Sequence, residues 1–189
     1  EQVTKYKYTP WQRMYLYVRS VDIDTVNGPR VTLSRKDKEL VVKLFEMNTP
    51  ELEDGIVEIV SLSRMPWVKT KIIVASDESD VDPAGCLIGP KGMRVRNIVD
   101  ELSGEKIDIL NYTTDKIEMV RRALIPGIVE QVTIDDDTNT IRATVRDDEK
   151  AKVLGRGGTN INIAADLLGY KISLTTVEGK EIDPKEEIE

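Results

Sequence analysis

Histidine is absent from this 189-residue chain, and cysteine and phenylalanine each occur once. Without histidine, neither Ser-His-Asp nor Cys-His catalysis is available, and most zinc sites are excluded. The single cysteine, Cys86, cannot form an internal disulfide, and its apolar neighbourhood favours a small buried residue over a reactive thiol. An enzyme would have to use carboxylates, lysine, tyrosine or an oxygen-bound metal. Together with the motifs described below, this composition favours a binding protein, and we predict no enzymatic activity, no metal and no cofactor.

Long apolar runs are also missing. No stretch approaches the roughly 18 apolar residues of a membrane helix, and the N-terminal residues lack the order of a signal peptide. These absences predict a folded cytoplasmic protein with no membrane partner. The chain begins at Glu1 rather than at methionine, which indicates a fragment or a processed protein. A hydrophobic content of 40% is enough for one large or two to three small cored domains.

The net charge of −7 argues at first against a nucleic-acid partner, because binding to phosphates depends on lysine and arginine. The local distribution of charge reverses this argument. Residues 85–99 and 150–165 contain no acidic residue but several basic ones, namely Lys91, Arg94, Arg96, Lys150, Lys152 and Arg156. Part of the negative charge lies in residues 178–189, where six acids outweigh two lysines, and we predict a frayed acidic tail or linker there.

An internal repeat organises the chain. Three segments recur in the same order: "GIVEIV" as "GIVEQV", "IGPKG" as "LGRGG", and "GEKIDIL" as "GYKISL". The repeat predicts a duplicated unit of roughly 65 to 72 residues. Hydrophobic periodicity and turn signals predict the order α-β-β-α-α-β for each unit. We place unit 1 at residues 36–112 and unit 2 at residues 113–177.

In each unit a pair of glycines interrupts a helical pattern, at residues 89–92 (loop 1) and 155–158 (loop 2). The first glycine can end one helix in a left-handed conformation, and the second can begin the next helix with free N–H groups. Such N–H groups bind phosphates, and Lys91 or Arg156 adds positive charge. A glycine pair alone is more often a plain turn. The occurrence of two copies in the same frame favours phosphate binding.

The helix after each loop carries an apolar stripe, which predicts the face that packs on the sheet. The stripe comprises Val95, Ile98, Val99 and Leu102 in unit 1, and Ile161, Ala164, Ala165 and Leu168 in unit 2. Polar residues flank both stripes, and we expect them at the edge where the loop ends. They are Arg94 and Arg96 in unit 1, and Asn160 and Asn162 in unit 2.

The order α-β-β-α-α-β with G-x-x-G between the last two helices resembles the type II KH fold. The tandem "IGPKGMRVRNIVDELSGEKIDI" and "VLGRGGTNINIAADLLGYKISL" is similar to the paired KH domains of the NusA family of bacterial transcription factors. The segment "LSRKDKELVVKLFEMNTPELEDGIVEIVSLSR" resembles that family's junction between an OB-fold RNA-binding barrel and its first KH domain. The resemblance implies an α+β chain in which residues 1–35 are part of such a barrel and precede two KH domains.

By this resemblance, the chain binds single-stranded nascent RNA beside RNA polymerase, which it contacts mainly through a region absent from this sequence. The resemblance and the loop chemistry together give the predicted RNA-binding residues: Gly89, Pro90, Lys91, Gly92, Arg94, Arg96, Gly155, Arg156, Gly157, Gly158, Asn160 and Asn162. Bases would lie on an apolar groove. Its candidates, which are equally compatible with a simple core, are Leu87, Ile88, Val95, Val153, Leu154 and Ile161. Trp67 is a candidate for base stacking, although covering a turn suits it better.

Three other functions compete with RNA binding as explanations of the glycine loops. A P-loop nucleotidase requires G-x-x-x-x-G-K-[ST], and neither loop supplies the Lys-Ser/Thr pair. An RNA-processing enzyme or a ribosome-assembly protein could carry the same modules beside a catalytic or scaffold part that is missing here. A protein-binding module built on the KH sheets would have no affinity for RNA.

Overall fold

The computed structural model describes residues 9–23 and 28–182. Parts of the predicted barrel segment, residues 1–8 and 24–27, and the end of the predicted tail, residues 183–189, lie outside the described residues. Within the described ranges, no helix has both the length and the apolar character needed to cross a membrane.

An antiparallel hairpin precedes unit 1. Its strands are β1 (Tyr17–Asp22) and β2 (Arg30–Ser34), and they pair with each other in a two-stranded sheet. Apolar side chains of both strands are exposed, among them Val18, Val21 and Val31. The hairpin therefore buries little apolar surface by itself.

Unit 1 has the predicted order of elements, with one additional turn of helix, α2. Its helices are α1 (Lys38–Glu46), α2 (Pro50–Glu53), α3 (Pro83–Ile88) and α4 (Met93–Glu101). Its strands are β3 (Glu58–Met65), β4 (Lys69–Ala75) and β5 (Lys106–Asn111). The sheet order is β3-β4-β5, in which β3 runs antiparallel and β5 parallel to β4.

Unit 2 repeats this order. Its helices are α5 (Lys116–Leu124), α6 (Asp147–Leu154) and α7 (Thr159–Leu168). Its strands are β6 (Gln131–Asp135), β7 (Thr140–Val145), β8 (Lys171–Thr176) and β9 (Glu181–Ile182). Strand β9 pairs antiparallel with β8, and Ile182 is buried. The prediction of a frayed acidic tail or linker over residues 178–189 is therefore wrong for Glu181 and Ile182.

Local signals in the sequence explain where the leading helices begin. The Asp37 carboxylate accepts a hydrogen bond from the Glu39 N–H at 3.1 Å and caps α1. Asp115 caps α5 in the same way, through the N–H of Ile117 at 2.9 Å. A side-chain acceptor at this position satisfies N–H groups that have no partner inside the helix.

The two apolar stripes lie in two separate cores. Ile98 and Leu102 are each 1% exposed in the core of unit 1, and Ile161 and Ala164 are 1% and 0% exposed in the core of unit 2. The predicted packing face of each helix is therefore confirmed. On α7, Ile163 and Leu167 are buried as well.

Unit 1 covers this second face of α7. The Ser61 hydroxyl on β3 donates to the Leu167 carbonyl at 2.9 Å, and the Ser63 hydroxyl donates to the Asp166 carboxylate at 2.6 Å. The Lys71 ammonium donates to the Ile125 carbonyl, at the end of α5, at 2.8 Å. The β3–β4 hairpin of unit 1 is thus docked on unit 2.

The segment that follows the β1–β2 hairpin makes the same type of contact with unit 1. Arg35, which follows β2, donates through Nη2 to the Glu101 carbonyl at the end of α4 at 2.6 Å, and its Nη1 pairs with the Glu101 carboxylate at 2.6 Å. Glu101 in unit 1 corresponds to Leu167 in unit 2. In both cases a carbonyl in the last turn of the helix after a glycine loop accepts a hydrogen bond from the hairpin segment that precedes the whole unit.

Candidate nucleic-acid interface

Loop 1 joins α3 to α4 through four residues in succession with positive φ or fixed ring geometry. Gly89 ends α3 with φ 72° and ψ 173°, a conformation open only to glycine. A 3-10 turn, Pro90–Gly92, follows, and Gly92 adopts the left-handed conformation with φ 72° and ψ 19°. Helix α4 then begins at Met93. The predicted break between two helices is therefore present, and glycine is required at its start.

Loop 2 has the same backbone conformation. Gly155 has φ 71° and ψ 168°, and Gly158 is left-handed with φ 71° and ψ 10°. Helix α7 begins at Thr159. Two loops of different sequence thus fold into one backbone shape.

The basic residues occupy different positions in the two loops. Lys91 adopts a left-handed conformation with φ 52°, at the position that Gly157 occupies in loop 2 with φ 60°. Arg156 instead occupies the position of Pro90. Both basic side chains are exposed. Each loop therefore presents one positive charge to solvent, displaced by one residue between the copies.

Neither helix that follows a loop has a side-chain cap on its first N–H groups. The Thr159 hydroxyl, which stands at the start of α7, donates back to the Arg156 carbonyl at 2.7 Å and does not cap the helix. First-turn N–H groups without a side-chain partner attract anions, as does the positive end of the helix dipole. A phosphate beside loop 1 or loop 2 would meet these N–H groups and one basic side chain.

Four polar residues predicted to bind RNA fall into two classes. Arg96 and Asn162 lie exposed on α4 and α7, four positions after the second loop glycine. Arg94 is partly buried and paired with Glu51 of α2 at 2.9 Å, and Asn160 is 3% exposed. The structure therefore brings Arg96 and Asn162 to the surface beside the loops, whereas Arg94 and Asn160 lie beneath them.

Most of the apolar groove candidates belong to the cores. Leu87 and Val153 are 0% exposed, and Leu154 and Ile161 are 1% exposed. Val95 packs against the core of unit 1. Ile88, at 38% exposure, is accessible, as is Met93 at the start of α4. The accessible apolar surface beside loop 1 is therefore formed by Ile88 and Met93, the latter not predicted.

Trp67 occupies the β3–β4 turn with φ 63°. Its backbone N–H donates to the Glu105 carboxylate at 2.7 Å, and the Lys36 ammonium lies 5.2 Å from the centroid of its indole ring. These contacts favour the turn-covering role of Trp67 over base stacking.

A cleft of about 360 Å³ beside loop 2 was not predicted from the sequence. Unit 2 contributes Arg156, Lys152 and Thr159, and unit 1 contributes Val68, Lys69 and Lys106. Lys69 and Lys106 are brought side by side by the parallel pairing of β4 and β5. No local pattern in the sequence marks these lysines, because their proximity to loop 2 depends on how the units dock.

Comparison with known proteins agrees with this architecture. A family model described as the NusA-like first KH domain matches residues 35–112, and one described as the NusA-like second KH domain matches residues 116–182. Among solved structures, the crystal structure of APE1850 is similar in fold, with a TM-score of 0.50 and 18% sequence identity, and covers 72% of this chain and 94% of that chain. The predicted α+β fold with two tandem KH domains is confirmed.

Three curated relatives carry the name transcription termination/antitermination protein NusA. The Bacillus subtilis protein is 40% identical over 174 residues, which cover 92% of this chain and 47% of that protein. The Thermus thermophilus protein is 36% identical over 183 residues, covering 97% and 47%. The Mycobacterium tuberculosis protein is 40% identical over 175 residues, covering 92% and 50%. The chain spans about half the length of these relatives. With both of its KH domains matched as NusA-like, the chain belongs to the NusA family.

Proposed function

We propose that the chain binds single-stranded nascent RNA through loops 1 and 2, as part of a factor for transcription elongation, pausing, termination and antitermination. It acts by binding and not by catalysis. The observation that carries the proposal is the duplicated loop, in which one backbone conformation presents uncapped helix N–H groups and an exposed basic residue twice.

The loop chemistry suits the sugar-phosphate backbone. Lys91 and Arg156 supply positive charges that suit contacts with phosphates, and such contacts do not depend on the base sequence. Ile88 and Met93 supply apolar surface beside loop 1. Bases can reach such a surface only when they are unpaired, because a duplex buries them in its stack. Single-stranded RNA is therefore the expected ligand.

The relatives are named transcription termination/antitermination proteins, which supports a role in transcription. We also propose that the chain acts in the cytoplasm and contacts RNA polymerase, mainly through a region absent from this sequence. We further propose that residues 1–35 are the later strands of an OB-fold RNA-binding barrel. The exposed apolar residues of β1 and β2 support this assignment, because further strands would cover them.

Charge substitutions in the loops test the RNA-binding proposal. A Cβ at Gly92 meets no atom within 4 Å, so a side chain has room there. Gly92→Asp places a carboxylate where a phosphate would bind, whereas Gly92→Asn has the same shape and tolerates the left-handed conformation equally well. We expect the Asp variant to bind single-stranded RNA at least about tenfold more weakly than the Asn variant, a difference of about 1.4 kcal/mol.

Fluorescence titration with a labelled single strand, followed by competition with unlabelled single strand or hairpin stem, measures both parts of this expectation. Unlabelled single strand should displace the labelled strand from the wild-type protein at a much lower concentration than the hairpin stem does. Thermal melting of both Gly92 variants confirms cooperative folding. Equal affinity of the Asp and Asn variants would show that loop 1 is only a turn, and equal competition by the stem would contradict single-strand binding.

A further inference from the structure

Each glycine loop rests on a polar side chain five positions after its first glycine. In unit 1 this residue is Arg94, whose Nη1 donates to the Cys86 carbonyl in the last turn of α3 at 2.6 Å. In unit 2 it is Asn160, whose Nδ2 donates to the Val153 carbonyl in the last turn of α6 at 3.0 Å. Two different side chains thus tie the helix after the loop to the end of the helix before it.

The first glycine of each loop lies directly against this side chain. A Cβ at Gly89 would be 2.5 Å from the Arg94 Cγ, and a Cβ at Gly155 would be 2.7 Å from the Asn160 Cβ. Real Cβ atoms do not approach other carbon atoms this closely. Arg94 and Asn160 therefore occupy the space directly beneath the first glycine of each loop.

The remaining polar contacts of both residues are made within the protein. The Nη1 of Arg94 also donates to the Glu51 carboxylate at 2.9 Å, so its positive charge is already paired. The Asn160 Nδ2 also donates to the Leu124 carbonyl at 3.1 Å, and its Oδ1 accepts from the Lys69 ammonium at 3.2 Å. Asn160 is 3% exposed, which keeps its amide away from an RNA backbone.

We propose that Arg94 and Asn160 are positioning residues, which hold loops 1 and 2 in their binding conformation and do not contact RNA. The proposal rests on the RNA-binding function proposed above, and it replaces the expectation from sequence that both side chains bind RNA directly. It also explains why arginine and asparagine can alternate at this position. The shared requirement is a donor for a helix carbonyl and not a charge.

The dependence of affinity on salt separates positioning from direct contact. A side chain that neutralises a phosphate on a single strand contributes about 0.7 to the slope of log affinity against log salt concentration. We expect Arg94→Ala to weaken binding to a random-sequence single strand of about eleven nucleotides by about tenfold without changing this slope. Lys91→Ala, which removes an exposed charge, is the positive control and should lower the slope by about 0.7.

Arg94→Asn is the matched rescue, because it installs in unit 1 the residue that unit 2 uses. It should leave the slope unchanged and recover part of the lost affinity. Far-UV circular dichroism and thermal melting establish that each variant folds. A slope lowered by about 0.7 in both Arg94→Ala and Arg94→Asn would identify Arg94 as a direct phosphate ligand and overturn the proposal.

A second measurement uses the free protein and does not depend on RNA. The Gly92 N–H donates to the Gly89 carbonyl at 3.0 Å within loop 1. Amide hydrogen exchange at Gly92 should be about tenfold faster in Arg94→Ala than in the wild type and unchanged in Lys91→Ala. Equal exchange rates in Arg94→Ala and the wild type would contradict positioning. Failure of the wild type to bind RNA would contradict the proposed function instead.

Discussion

At the residue scale, Glu105 and Lys71 are the two charged residues with 0% exposure among the described residues. The Glu105 carboxylate accepts hydrogen bonds from Arg64 Nε at 2.8 Å, Arg64 Nη2 at 2.9 Å, the Trp67 N–H at 2.7 Å and the Thr70 hydroxyl at 2.5 Å. Arg64 also donates to the Asp37 carbonyl at 2.5 Å. The Glu105 carboxylate thus joins the start of β5 to the β3–β4 turn, and through Arg64 it is connected to the residue that caps α1.

We predict that Glu105→Gln lowers the free energy of unfolding by about 3 kcal/mol or more, because it leaves the buried Arg64 guanidinium without its counter-charge. The matched control is Glu118→Gln, which removes an exposed carboxylate paired with Arg122 four residues on. That control should cost less than about 0.5 kcal/mol. Urea denaturation at neutral pH measures both. A loss at Glu105 no greater than the loss at Glu118 would contradict the prediction.

The sequence predicted the loop glycines but not the role of Glu105, Arg94 or Asn160. Glycine in G-x-x-G has a local meaning, because positive φ is costly for other residues. The role of Glu105 depends on Arg64, which lies on another strand, and no local pattern pairs them. The sequence leads us to expect that Arg94 and Asn160 bind RNA, because a polar side chain beside a phosphate-binding loop suggests contact. Their hydrogen bonds to helix carbonyls depend on three-dimensional packing, which no local pattern encodes.

At the scale of elements, the two glycine loops share a backbone and differ in where the basic residue stands. Lys91 holds a left-handed conformation that costs an L-residue about 1–2 kcal/mol, while Gly157 adopts it without that strain. A lysine in this strained position is consistent with a functional demand for charge there.

We predict that Lys91→Gly changes the free energy of unfolding by less than about 1 kcal/mol, because relief of the left-handed strain is offset by the greater freedom of glycine in the unfolded chain. The same variant should lower the salt slope of RNA binding by about 0.7. Lys91→Gln serves as the control, since it removes the charge and keeps the strain. A stability loss above about 2 kcal/mol in Lys91→Gly would show that the Lys91 side chain is structural.

Element order and the core stripes followed from periodicity, because each helix buries one face on its own sheet. The second buried face of α7, which includes Ile163 and Leu167, did not follow. Its burial is due to unit 1, and the periodic pattern within α7 does not show which other element will pack on this face. Strand β9 was missed for a similar reason. Its two residues pair with β8 within an acidic segment that lacks an apolar period.

At the scale of the whole molecule, the docking of unit 1 on unit 2 supports the hypothesis of one platform for RNA. Only four residues, 112–115, connect β5 to α5, and the hydrogen bonds of Ser61, Ser63 and Lys71 to unit 2 join the two units directly. A strand held by both loops gains from the high effective concentration of the second site.

We predict that affinity for single-stranded RNA rises steeply with length up to about eight to eleven nucleotides and then flattens, because each KH loop binds about four nucleotides. Gly92→Asp or Gly158→Asp alone should remove most of the advantage of long RNA over short RNA. Titrations with a length series test this, with Gly92→Asn and Gly158→Asn as controls. Affinity that grows smoothly with length, or additive losses in the double Asp variant, would indicate two separate sites.

Each hairpin segment docks on the post-loop helix of the next unit, α4 for Arg35 and α7 for β3. This is a head-to-tail contact, and contacts of this kind can in principle repeat without end into a filament. Strand pairing shows how the outer strand of unit 2 differs from that of unit 1. Ser61 and Ser63 lie opposite Ile73 and Lys71, and the corresponding positions of unit 2 carry Gln131 and Thr133. At the position of Ser61, whose hydroxyl donates to the Leu167 carbonyl, β6 therefore carries the longer amide side chain of Gln131. The two units thus meet through unlike faces, and the outer strand of unit 2 does not repeat the surface that β3 offers to α7.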